Sequence, residues 1–170
     1  MGYHREWLHH GDRRTGSIVN TIVLHATAGR SIESDVRTLL QRKLSYHYLI
    51  TKSGEIYKLA PASKEAYHAG ESIGPRGPGV NDYSIGIGFV HLNDGTPYTE
   101  EQYKAAEWLI PKLRPNMDKY TFLTTHYAIT VKEDGRARKT DPRGVDIERI
   151  AKATGLTVWK PRYADSAVYP

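Results

Sequence analysis

The sequence predicts an α/β fold: a single domain with a central mixed β-sheet flanked by helices. Three observations carry that expectation. The stretch "SIVNTIVLH" (17–25) is a β-branched run too continuously apolar for a one-sided strand, so it reads as a central strand buried on both faces. Helical patterns then follow strand patterns down the chain, with one hairpin signal that makes the sheet mixed. At 170 residues and 39% hydrophobic, the chain can bury one real core and gives no support for a second.

The elements follow in order. Residues 31–43, "SIESDVRTLLQRK", place Ile32, Val36, Leu39 and Leu40 at helical spacing behind Ser31 as N-cap, with acids in the first turn. That helix should pack on the sheet. "YHYLI" and "EIYKL", joined by "TKSG", predict a hairpin. "SIGIGFV" (84–90) alternates, with Ile85, Ile87 and Phe89 on one face and Gly86 and Gly88 on the other. Two glycines inside a strand weaken it unless another backbone, a side chain or a ligand comes close there. Before that strand, "ESIGPRGPGVND" (71–82) is a Gly/Pro-rich loop long enough for a lid or groove wall, with Asn81 and Asp82 read as turn formers.

"TEEQYKAAEWLIPKL" (99–113) opens with a capping box from Thr99 to Gln102 and sets Tyr103, Ala106, Ile110 and Leu113 on one stripe. Pro111 should kink this helix or mark its last turn. "YTFLTTH" (120–126) reads as another strand ending at His126, and "DIERIAKATG" (146–155) as a short final helix stopped by Gly155. The expected organisation is an N-terminal extension over 1–17, the domain proper over 18–155, and a tail over 156–170 packed on the domain.

There are 24 Lys and Arg against 19 Asp and Glu, a net charge of +5 that favours a polyanionic partner: nucleic acid, an anionic membrane surface or an acidic cell-wall polymer. The absence of cysteine removes disulfides, zinc thiolates and cysteine nucleophiles, so any metal must be held by His, Asp or Glu. No apolar run approaches the roughly 18 residues of a membrane span. The polar start "MGYHREWLHHGDRR" lacks a signal-peptide core, so cytoplasmic synthesis without stable membrane insertion is expected.

His25 and His126 both end predicted strands, where the rim loops of an α/β sheet carry chemistry. In "RKTDPRG" (138–144), Pro142 pushes Asp141 out of the helical region, so Lys139 and Asp141 face the same way. Two neutral imidazoles and a carboxylate, with a fourth position left for water, form the ligand set of a catalytic zinc site. The remaining histidines are read more plainly: His47 as a core or supporting residue behind Tyr46, His91 as surface, and His4, His9 and His10 as a cluster with nothing to fix its geometry.

Six segments in order, "IVLHATAG", "SYHYLITKSGEIYKL", "AYHAGES", "NDYSIGIG", "TTHYAIT" and "RKTDPRG", resemble the zinc-dependent N-acetylmuramoyl-L-alanine amidases of the type 2 group. These share their fold with peptidoglycan recognition proteins, and short phage endolysin amidases are the nearest in pattern. The resemblance implies zinc on His25, His126 and Asp141, and Lys139 as an aid to the developing oxyanion. It also implies Thr27 and His68 as substrate-facing residues. Wall-recycling members carry a glutamate in a strand motif resembling "SIGIE", where this chain has Gly88. Members without it use a tyrosine before an "HF" or "HY" pair, the position of Tyr46 in "SYHY".

The implied reaction is hydrolysis of the amide between N-acetylmuramic acid and L-alanine, with the glycan strand and stem peptide of peptidoglycan as partners. A monomeric endolysin that reaches the wall after release is the expected role. A cytoplasmic muropeptide-recycling amidase and a non-catalytic peptidoglycan-binding module are the alternatives. Recognition relatives lose a ligand, whereas all three are present here. A nucleic-acid role is not expected, because the one basic cluster, "GRARK" (135–139), already lends Lys139 to the site.

Overall fold

The computed structural model describes residues 2–5, 12–14 and 18–162. The strands are β1 (Tyr3–His4), β2 (Asp12–Arg13), β3 (Thr21–Ala26), β4 (Tyr48–Ile50), β5 (Ile56–Lys58), β6 (Lys64–Glu65), β7 (Ile73–Gly74), β8 (Gly77–Pro78), β9 (Ser84–Phe89), β10 (Phe122–Thr125) and β11 (Thr157–Val158). The α-helices are α1 (Ile32–Arg42), α2 (Glu100–Leu113), α3 (His126–Thr130) and α4 (Ile147–Thr154). Seven strands form one sheet in the order β1-β5-β4-β9-β3-β10-β11. Only β4 and β5, the expected hairpin, run antiparallel; the other neighbours are parallel. The sheet is therefore mixed, with β3 near its centre.

Local chemistry sets the helix ends. Ser31 caps α1 by accepting the Ser34 N–H at 3.2 Å, and Thr99 and Gln102 form a complete capping box on α2. Pro111 falls in the last turn of α2, and Gly155 ends α4 in the left-handed region at φ 75°. Helices α2 and α4 cover one sheet face, where Ile22, Leu24, Ile85, Ile87, Phe89 and Leu123 meet Leu109, Ile110 and Ile150. Helix α1 covers part of the other face through Ile32, Val36 and Leu39 on Leu49, Tyr57 and Leu59. The sheet thus holds a bulky apolar face and a second face free to carry polar groups.

Both ends of the described chain join this sheet. Tyr3 and His4 pair with Ile56 and Tyr57, and Thr157 and Val158 pair with Phe122 and Leu123. The loop over 71–82 contains the small antiparallel pair of β7 and β8. His9 and His10 lie outside the described residues; His4 stacks on Tyr57 at 4.6 Å.

Candidate active site

Three side chains converge at the C-terminal end of β3. His25 lies opposite Gly88 in the parallel register, on the face away from α2. His126 opens α3, because Thr125 turns the strand into a helix by accepting the Ala128 N–H at 3.0 Å. Asp141 sits in the loop after α3. Its Oδ2 accepts the Ala26 N–H at 3.2 Å, and its carbonyl accepts the Tyr127 N–H at 2.9 Å. The acid is thereby tied to both histidine-bearing elements.

The two Nδ1 atoms of His25 and His126 are 3.1 Å apart. Asp141 places Oδ2 3.5 Å from His25 Nδ1 and Oδ1 3.2 Å from His126 Nδ1. One donor atom from each residue lies within 4.8 Å of the others, and all three residues are buried. His126 Nε2–H donates to the Ala69 carbonyl at 3.0 Å, which places its proton there and leaves Nδ1 bare. A bare nitrogen facing a carboxylate and a second imidazole is unfavourable unless a positive charge sits among them. Two imidazoles and one carboxylate suit zinc or a similar divalent ion, so the residues present fit the metal that the sequence leads one to expect.

The electrostatics agree with that use. Burial, with the neighbouring His126, pushes the His25 pKa down to about 4, so the ring is neutral near pH 7. Burial alone would raise Asp141, but the imidazoles of His126 and His25 beside it outweigh burial and hold its pKa below the usual carboxylate range. A cleft of about 380 Å³ is lined by His126 and Asp141 together with Thr27, Tyr46, His68 and Lys139, and His25 is fully buried behind them. The Tyr46 ring lies 4.7 Å from that of His25, and burial, then the charges of Asp141 and Asp35, raise its pKa so that the hydroxyl keeps its proton. Lys139 is half-buried and its positive charge is felt at His25, while its backbone N–H is held by Thr130 Oγ1 at 3.1 Å. Thr27 Oγ1 accepts the Gly29 N–H at 3.2 Å on the rim.

The glycines of β9 now have a physical account. A Cβ at Gly86 would lie 2.5 Å from His68 Cγ, and one at Gly88 would lie 2.7 Å from Leu49 Cδ2 and 3.1 Å from the Tyr46 ring. Each glycine makes room for a ring delivered by another segment. His68 uses both of its nitrogens inside the protein, Nδ1 against His25 Nε2 at 2.9 Å and Nε2 against Ser84 Oγ at 3.0 Å. That leaves no ring nitrogen for a substrate. His47 is fully buried, with Nδ1 accepting the Gly86 N–H and Nε2–H donating to the Lys64 carbonyl.

His91 is a correction to the sequence reading: it is only 3% exposed, stacked on Tyr98 at 4.0 Å, with Nε2–H donating to the Thr96 carbonyl. Sequence reasoning also missed the contact of His68 with His25 and the hydrogen bonds that Asn81 Oδ1 accepts from the N–H groups of His68 and Ala69. Gly86 was the one available signal that a ring approaches that strand. A larger groove of about 780 Å³ on the far side of Arg138 contains none of the three donors, so the chemistry belongs to the smaller cleft.

Fold and site together define an α/β domain with a two-histidine, one-carboxylate donor set that could hold a metal ion. The chain belongs to the N-acetylmuramoyl-L-alanine amidase family Amidase_2, whose model matches residues 15–144. Among curated relatives, the 1,6-anhydro-N-acetylmuramyl-L-alanine amidase AmpD of Enterobacter cloacae is 37% identical over 100 residues, covering 58% of this chain and 50% of the relative. AmpD of Salmonella typhimurium strain LT2 is 36% identical over 107 residues, 59% of this chain and 51% of the relative. The chain thus spans about half the length of the curated relatives it matches. Among solved structures, E. coli AmiD with the substrate anhydro-N-acetylmuramic acid-L-Ala-D-gamma-Glu-L-Lys superposes with a TM-score of 0.69 at 25% identity, covering 85% of this chain and 60% of that one. The amidase LysC of Clostridium intestinale shares the fold, with a TM-score of 0.70 at 21% identity over 92% of this chain and 99% of that one.

Proposed function

We propose that this chain is a zinc-dependent amidase that hydrolyses the bond between the lactyl group of N-acetylmuramic acid and L-alanine of the stem peptide. The observation that carries the reading is the convergence of His25, His126 and Asp141 under a cleft walled by Tyr46 and Lys139. A zinc ion held by the three side chains would supply Lewis acidity and a more acidic water. The protein's own groups do the rest. Lys139 offers a fixed positive charge where the amide carbonyl oxygen becomes negative, an effect worth about 2.7–4 kcal/mol for one well-aimed donor. Tyr46 presents a protonated hydroxyl beside His25, able to orient water or to donate a hydrogen bond as the amide nitrogen gains its proton. Asp141, held by the Ala26 N–H, keeps the negative charge of the donor set in place.

Two readings differ in the form of the substrate. Soluble anhydro-muropeptide, the wall-recycling reading, has the better support, because the curated relatives at 36% to 40% identity are AmpD amidases named for a 1,6-anhydro sugar. Crosslinked wall, the endolysin reading, rests on one observation: position 88 is glycine and its space is taken by the Tyr46 ring.

One experiment addresses bond, metal and substrate form together. Products are identified by mass spectrometry from anhydro-muropeptide and from purified wall, with chelator and with zinc added back. Stem peptides with free L-alanine amino termini, lost with chelator and restored by zinc, are expected, faster from the soluble substrate. Release from wall alone would favour the endolysin reading. Binding of either without cleavage would make the chain a recognition module and remove the roles given to Tyr46 and Lys139.

A further inference from the structure

The segment His68-Ala69 touches both imidazoles of the donor set from behind. His68 Nδ1 lies 2.9 Å from His25 Nε2, and the Ala69 carbonyl accepts from His126 Nε2–H at 3.0 Å. The segment is itself held by one side chain, since Asn81 Oδ1 accepts the N–H of His68 at 3.2 Å and of Ala69 at 2.9 Å. Arg138 adds a second donor to the Ala69 carbonyl at 2.7 Å. On its far side, His68 Nε2 meets Ser84 Oγ at 3.0 Å. Gly86 makes room for this ring, because a Cβ there would fall 2.5 Å from His68 Cγ.

We infer that His68, Ala69 and Asn81 form one clamp that aims both metal-binding histidines, with His68 and Asn81 acting as positioning residues. The inference rests on the metal reading above. For His25 to present a bare Nδ1 to a metal, its proton must sit on Nε2, so Nε2–H donates to His68 Nδ1. His68 is then protonated at Nε2 and donates to Ser84 Oγ. The Ala69 carbonyl, which can only accept, imposes the same state on His126. A single backbone turn therefore sets two ring orientations and two proton positions, and Asn81, 12 residues further along the chain than Ala69, fixes that turn without approaching the metal donors itself. Outer partners of metal-binding histidines typically change metal affinity by about 10–100-fold when removed.

The test is zinc affinity, measured on the full chain by competition with a chromophoric chelator, alongside the melting temperature of the metal-free protein. His68→Ala and Asn81→Ala should each weaken zinc binding by about 10–100-fold. Asn81→Asp, which keeps the accepting oxygen, should recover most of the loss. Ser84→Ala, the mildest change, should weaken zinc binding only a few-fold and should alter the imidazole ¹⁵N signals of His68 in the zinc-loaded protein, a readout that holds even if His68→Ala fails to fold. Zinc affinity within about threefold of wild type in folded His68→Ala and Asn81→Ala variants would overturn the clamp. So would a loss of melting temperature in these variants with unchanged affinity. If the wild-type chain binds no zinc, the metal reading itself fails, which is a different outcome from wild-type binding that the variants share.

Discussion

The two faces of the central sheet are made from the same strands on opposite rules. Toward α2 and α4, strands β3, β9 and β10 present Ile22, Leu24, Ile85, Ile87, Phe89 and Leu123, all without solvent exposure in one apolar cluster. On the other face the same strands carry Val23, His25, Ser84, Gly86, Gly88 and Thr124, with Val23 beside Gly86 and His25 beside Gly88 in register. The space those small residues leave is filled by rings from other segments, His68 over Gly86 and Tyr46 over Gly88. The first face gains stability from contiguous apolar burial. The second gives up that burial so that groups from distant segments can meet at fixed distances. Substitutions on the two faces should therefore fail in different ways.

The largest expected effect separates them. Asp141→Ala removes one of three donors, so zinc content should drop to near zero and amide hydrolysis by at least about a thousandfold, equivalent to about 4 kcal/mol of transition-state stabilisation. The fold should persist, because Asp141 contributes no apolar packing. Leu24→Ala, on the face of β3 opposite His25, should lose about 2–5 kcal/mol of unfolding free energy while folded molecules keep wild-type zinc affinity. Metal analysis and denaturant unfolding of both variants check this. Zinc retained by Asp141→Ala, or metal lost from folded Leu24→Ala, would break the division between the faces.

The same division explains what could be read from sequence. Elements on the apolar face announce themselves: β3 by its β-branched run, α2 by its capping box and stripe, and α4 by its period and Gly155. The candidate donors were legible because histidines fall at the ends of two strands expected from the sequence, one of which opens α3 instead, and a proline follows the aspartate. Strands of two residues, such as β1 and β11, are too short to show alternation, and the five residues of α3 too short to show a helical period. The contacts among His25, His68 and Asn81 join positions far apart in the chain, and no local pattern encodes them. His91 was misread for a different reason: the Thr96 carbonyl and Tyr98 that bury it are near in sequence but arrive through a loop with no period to announce the contact.

Acid should act on the polar face alone. His47 is buried and neutral, with its pKa pushed down by burial to about 3 from an ordinary 6.5. Between those values the unfolded chain binds more protons than the folded one, so stability is complete above about pH 6.5 and declines as pH falls through the window. At about 1.4 kcal/mol per unit, His47 alone removes roughly 2 kcal/mol between pH 6.5 and 5. His25, depressed to about 4, acts in the same direction. Melting temperatures of the metal-free protein should therefore fall steadily from about pH 7 to 5, in parallel for wild type and Leu24→Ala. A flat profile would mean that these rings are not held neutral by the fold.

The smallest expected effect is the most informative about Tyr46. Gly88 is not in the left-handed region, so Gly88→Ala carries no backbone penalty, and its cost lies in what the new methyl meets. It would press on Leu49 Cδ2 at 2.7 Å and on the Tyr46 ring at 3.1 Å, both side chains that can shift by a few tenths of an ångström. The stability loss should stay near 1 kcal/mol, at the low end for overpacking. Turnover should fall further than that, by about tenfold, because misplacing a positioned group by a fraction of an ångström is costly when geometry carries the effect. Zinc affinity should be unchanged, since Tyr46 is not among the donors. Tyr46→Phe keeps the ring and removes the hydroxyl, so an equal loss of turnover in both variants assigns the effect to the hydroxyl's position. Full turnover in Tyr46→Phe would mean that Gly88 serves packing alone, and that Lys139 and the donor set suffice for the chemistry.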